Sequence, residues 1–168
     1  MSWENRLLRF KNWFDSRSAF GQVLIMTLGD KVIVLTIGVL AALIFGKEVL
    51  GLPNPMADES GAFMFIMGVL IAPWLETLIF QYGIIELILL ILRKFSRKMT
   101  VAVVVSAMTF GFAHNYSPLY IAIITCIGFY YAMIYVFFRP YGKKSAFQKL
   151  AFVHMLSNFV VFLTITLE

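Results

Sequence analysis

The stretch APWLETLIFQ, residues 72–81, sets one carboxylate, Glu76, among side chains that are almost all apolar. It lies in an apolar run from about Ala62 to Leu92, longer than the ~20 residues that cross a bilayer's hydrocarbon. Pro73 removes a backbone donor and crowds the preceding turn, so the run predicts a helix broken or kinked there. Four further apolar segments recur on either side, at about 23–45, 99–114, 119–138 and 150–167. The chain has 168 residues, 61% of them hydrophobic and 14% charged, whereas soluble domains carry about 25% charged residues. A soluble fold could not bury so much apolar surface. The sequence therefore predicts an all-α polytopic transmembrane bundle of about five spans, one domain over residues 21–168.

Residues 1–20 read differently. Trp3, Leu7, Phe10 and Phe14 follow a helical stripe, with Arg6, Arg9, Lys11 and Arg17 largely off it. That is the pattern of an amphipathic helix lying in the membrane interface; a solvated arm is the alternative. The segment is too charged for a cleavable signal.

The basic residues orient the spans. Arg6, Arg9, Lys11 and Arg17 precede the first span. Arg93, Lys94, Arg97 and Lys98 separate the second from the third, and Arg139, Lys143, Lys144 and Lys149 the fourth from the fifth. These twelve are most of the 14 lysines and arginines, and the opposite loops hold only Lys47. The positive-inside rule then predicts a cytoplasmic N-terminus and an outside C-terminus, in a membrane that suggests a prokaryotic cytoplasmic one. The net charge of +5 is accordingly an orientation signal, not a sign of nucleic-acid binding. The single cysteine, Cys126, excludes an internal disulfide and a Cys-based zinc site, and reads as a small core residue.

Ionisable residues inside spans are costly, face the bundle interior and mark functional sites. Here they are Glu76, Glu86, His114 and His154. Asp30 and Lys31 either sit near the cytoplasmic interface or mark the start of a short first span. Glu86, close to the basic loop, reads as structural. Thr77 and Gln81 share one helix face, with Glu76 about 100° away from Thr77. Ser106, Phe110 and His114 form one stripe, with small Gly111 and Ala113 beside it allowing close helix approach. His154 and Asn158 lie four apart and address one point in the bundle. Either histidine alone would be an ordinary hydrogen-bonded core residue. Glu76, His114, His154 and Asn158 together, on three helices, point to a site. On upright helices the depths conflict, since His154 lies only about 8 Å past Lys149 and Glu76 about 25 Å from Arg93. Either the last helix starts deeper, near Lys143, or the second segment tilts.

This ordered set resembles the CPBP family of intramembrane proteases, which includes type II CAAX prenyl proteases and bacteriocin-processing and self-immunity proteins. The likeness covers about residues 62–167. Ala72-Pro73 leading to Glu76 resembles the family's first motif, Phe110-x-x-x-His114 led by Ser106 its second, and His154-x-x-x-Asn158 its third. The family's second glutamate and its arginine are replaced by Thr77 and Gln81, a matched loss that strands neither charge. The resemblance implies peptide-bond hydrolysis of a membrane-embedded or lipid-anchored protein or peptide. Glu76 would activate water with help from His114, and His154 and Asn158 would donate to the oxyanion, with Thr77, Gln81, Ser106 and Phe110 in support. It favours a glutamate mechanism without cofactor and leaves zinc open, on Glu76, His114 and His154. The rival readings are an inactive scaffold or regulator of the same fold, which Thr77 and Gln81 support, and a His-ligated metal or haem protein.

Overall fold

The structure is a computed structural model. It describes residues 3–46 and 59–167, without the side chains of residues 3, 4, 6 and 7. Lys47 and the Trp3, Arg6 and Leu7 side chains of the N-terminal stripe lie outside that description. Six helices follow in order: α1 Trp3–Asp15, α2 Ala19–Phe45, α3 Gly61–Ile91, α4 Lys98–Ala113, α5 Pro118–Phe138 and α6 Lys143–Thr166. No strand occurs among the described residues.

Four helices are long and apolar enough to cross a membrane: α2, α3, α5 with its following turn, and α6. The third expected span, α4, is apolar but has only 16 residues. At 1.5 Å per residue it reaches about 24 Å, short of the ~30 Å hydrocarbon core. The bundle therefore has four full-length helices and one short one, and α4 ends at His114.

Of the break or kink expected at Pro73, the break is absent: α3 runs through it, with a change of helix type at Ala72. A five-residue α segment, Ala72–Glu76, lies between two π-helical segments, Met64–Ile71 and Thr77–Ile84. The Ala72 N–H bonds five residues back, to Met67 O. In that register the donor for Gly68 O would be Pro73, which has no N–H. Asn158 on α6 donates to this carbonyl instead, at 2.8 Å. The proline's missing donor has become a fastening point between helices.

Packing is densest in the half of the bundle nearest the basic loops. Ile85, Tyr135, Phe138, Leu150 and Val153 are fully buried there, with Leu89, Ala102 and Val103 around them. The α4–α5 hairpin interlocks at glycines. A Cβ at Gly111 would collide with Thr125 Oγ1 and lie 3.0 Å from Ile121 O, and one at Gly128 would lie 3.0 Å from Ala107 O. Ala113, expected to share that role, is exposed. Cys126 is exposed on α5, not a core residue; small Gly128 takes the inner position. Helix α1 docks through Phe14, which is fully buried against Phe137 and Phe138, while Phe10 and Trp13 remain largely exposed. Lys11 and Asp15 pair with one another, and both bond to Tyr141 OH.

Glu86 is structural, as expected. Its carboxylate accepts from Arg139 Nε at 2.5 Å, Arg139 Nη2 at 3.0 Å and Tyr135 OH at 2.9 Å, and pairs with Lys143 at 2.6 Å. It ties α3 to the turn between α5 and α6. Gly142 makes that turn at φ 115°, a left-handed conformation open to glycine. The turn lets α6 begin at Lys143, the first of the two alternatives for matching depths. Lys149 does not mark the membrane edge. Its ammonium bonds Gln22 Oε1 at 2.6 Å and lies 4.4 Å from the Phe138 ring centre.

Candidate active site in the membrane half opposite the basic loops

Glu76 closes the short α segment of α3, His114 caps α4, and His154 and Asn158 stand one turn apart on α6. From Lys143 to His154 is about 16 Å of helix rise, and from Lys98 to His114 about 24 Å. The π segment Thr77–Ile84 winds more residues into each turn, so α3 advances less per residue on its way to Glu76. The three side chains converge. Glu76 Oε2 lies 3.6 Å from His154 Nε2 and 3.9 Å from His114 Nε2. Both gaps exceed a direct hydrogen bond and suit a bridging water. The group lines a cavity of about 400 Å³.

The histidines are held differently. His114 Nδ1 lies 2.8 Å from Phe110 O, and because a carbonyl only accepts, Nδ1 carries the proton. In the neutral ring that proton leaves the lone pair on Nε2, the atom facing Glu76. The His154 ring is buried, packed 4.7 Å from the Tyr131 ring and 6.0 Å from that of Phe110, and its Nδ1 has no partner. A buried orphan N–H is rarer than an orphan lone pair. That favours the tautomer with the proton on Nε2, facing Glu76. Asn158 spends one amide hydrogen on Gly68 O and keeps a second donor at the cavity wall.

Sequence reasoning missed two cavity residues. Asp30 and Lys31 neither lie at an interface nor start a short span; α2 runs unbroken through both. Asp30 is 1% exposed, and its Oδ2 accepts from Ser157 Oγ at 2.5 Å and pairs with Lys31 Nζ at 3.1 Å. Lys31 also donates to Ser157 O at 3.1 Å. Ser157 and Lys31 hold Asp30 Oδ2 within the bundle while Oδ1 has no hydrogen-bond partner, and α2 continues through the pair. Among the predicted supporting residues, Phe110 lines the cavity and packs edge-on against Phe80. Thr77, Gln81 and Ser106 do not line it. They are fully buried, and Thr77 Oγ1, Ser106 Oγ and both Gln81 amide atoms have no hydrogen-bond partner. Thr77 and Gln81 share the inward face, as their spacing predicts.

Zinc bound by imidazole and carboxylate at about 2.0–2.2 Å in tetrahedral geometry would set its ligand atoms about 3.3–3.6 Å apart, which the gap to His154 meets and the gap to His114 exceeds. Among the described residues, no group of three or more His, Cys, Asp and Glu side chains is arranged to hold a metal ion.

The fold and the site define a polytopic helical membrane protein whose five helices wall a largely apolar cavity with a few convergent polar groups. The chain belongs to the type II CAAX prenyl endopeptidase Rce1-like family, whose model matches residues 58–160, more than half of its length. Membership implies an intramembrane protease acting on protein or peptide substrates. Neither the curated proteins nor the solved structures give a match to the chain.

Proposed function

We propose that the chain hydrolyses a peptide bond of a membrane-embedded or lipid-anchored protein with a water activated by Glu76, without a metal. The observation that carries this is the meeting of Glu76 Oε2 with two imidazole Nε2 atoms at 3.6 and 3.9 Å over a cavity. A water between them would give one hydrogen to Glu76 and the other to the His114 lone pair. Glu76 takes the proton as the water oxygen bonds to the peptide carbonyl carbon. The His154 Nε2–H and the free Asn158 N–H donate to the resulting oxyanion. Glu76 then returns its proton to the departing nitrogen as the C–N bond breaks, leaving a carboxylic acid, which keeps the second water hydrogen, and an amine. Lys143, Arg139 and Glu86 belong to the opposite end of the bundle and take no part.

The test compares protein N-termini in membranes of cells producing the wild type, Glu76→Gln or His114→Ala. New N-termini present with wild type and lost in both variants support the reading. Their persistence in both sinks it. Equal absence in all three favours the second reading, a non-hydrolytic scaffold or regulator. The observation behind that alternative is the neutral pair Thr77 and Gln81, buried without partners where the family carries charge.

A further inference from the structure

We infer that the substrate reaches Glu76 from the membrane face opposite the basic loops, so that its scissile bond must lie in the outer half of the bilayer. The word substrate rests on the protease reading; the direction of access does not. The cavity has a floor and a direction. Asp30 on α2, Glu76 on α3, Phe110 on α4, Tyr131 on α5 and His154 on α6 are its lining residues nearest the basic loops. On each helix the remaining lining residues lie farther from those loops: Val34, Gly68 and Ala72, His114, Tyr120 and Ile123, Asn158 and Val161.

Below the floor α3, α4, α5 and α6 pack closed, and a groove of about 530 Å³ between α2 and α6 shares no lining residue with the cavity. Gln81, Ile85, Tyr135, Leu150 and Val153 are buried across α3, α5 and α6, and Ala102, Ser106 and Ala107 fill α4. Above it the wall is low. Helix α4 stops at Ala113, about 24 Å from its basic end, and Tyr116 in the following turn lines the cavity while 54% exposed. A peptide could not pass the packed half without unfolding it, but can approach over the α4–α5 turn. Twelve of the 14 lysines and arginines flank the packed half, which the positive-inside rule turns toward the cytoplasm. The substrate class is then a membrane-anchored or exported polypeptide cut on its extracytoplasmic side, not a lipid-anchored protein presented from the cytoplasm.

Thiol labelling tests this without any substrate. On a Cys126→Ala background, Ala72→Cys reports the cavity, Tyr116→Cys its rim and Ser96→Cys the basic side. A small membrane-impermeant methanethiosulfonate added outside intact cells should modify the first two, and Ser96→Cys only after permeabilisation. Modification of Ser96→Cys alone from outside would overturn the orientation. Labelling of Tyr116→Cys but not Ala72→Cys, or of neither even after permeabilisation, would overturn the outward-open cavity. Repeating the assay with Glu76→Gln separates the two ideas, because a failed protease reading leaves the labelling pattern unchanged.

Discussion

Replacing Lys31 by Met should destabilise the protein by about 3–4 kcal/mol. The change leaves Asp30, 1% exposed, without its cationic partner. Breaking one side of a buried ion pair typically costs about 3–5 kcal/mol, because the other charge is stranded. Removing both charges with Asp30→Asn and Lys31→Met should cost under about 1 kcal/mol, since Ser157 can still donate to the amide oxygen. Reversible unfolding in mixed micelles at pH 7 compares the wild type, both single variants and the double variant. Additive costs in the double variant, or a Lys31→Met cost below about 1 kcal/mol, would refute a coupled buried pair.

Glu76→Gln should reduce appearance of the wild-type-dependent N-termini by about 10²–10⁴-fold with an unchanged melting temperature. Asn158→Ala should reduce it by about 10²–10³-fold and, through the lost bond to Gly68 O, also lower stability by about 1 kcal/mol. Glu86→Gln should cost about 1–3 kcal/mol in micelle unfolding, yet leave processing per folded molecule unaltered, because its partners Arg139, Lys143 and Tyr135 stand apart from the cavity. Gly111→Ala should destabilise by about 1–3 kcal/mol, since Ile121 O cannot retreat from the added carbon without moving α5. The contact of α1 with Tyr141 should be sensitive to acid. The Lys11 hydrogen bond, then that from Tyr141, holds the Asp15 carboxyl below its ordinary value. Its contribution is thus complete above the ordinary carboxyl range and fades as pH falls through the lower, folded value. Trp13 fluorescence should follow that change, and Asp15→Asn should abolish it.

Much of the site was legible because polar side chains are conspicuous in an apolar helix. Glu76, His114, His154 and Asn158 could be read from the chain, and four-residue spacing placed His154 with Asn158. Asp30 and Lys31 were harder. Adjacent opposite charges resemble a helix end, and only the position of Ser157 on another helix shows what holds Asp30 within the bundle. Pro73 was readable only in part. Its lost hydrogen bond is a local fact, but the π segments that absorb it and the Asn158 amide that replaces it belong to the tertiary structure. Lys149 looked like a boundary residue because its charge was read without Gln22 and the aromatic rings that receive it. The length of α4 could be counted from the sequence, but its consequence, a low wall beside the cavity, required the neighbouring helices.

Thr77 and Gln81 divide the bundle. On the outward side of Glu76 the polar groups face a cavity and one another across gaps that water can bridge. On the inward side Thr77, Gln81 and Ser106 sit in a packed core with no protein hydrogen-bond partner. An unmade hydrogen bond costs about 1–3 kcal/mol for a neutral group and more for a charged one. Neutral residues are therefore the least costly polar occupants of that region. Losing both family charges together avoids the larger penalty that either alone would incur. The exchange is compatible with a working Glu76, because the replaced pair does not line the cavity, and it leaves the half of the bundle facing the basic loops without a charged path through its core.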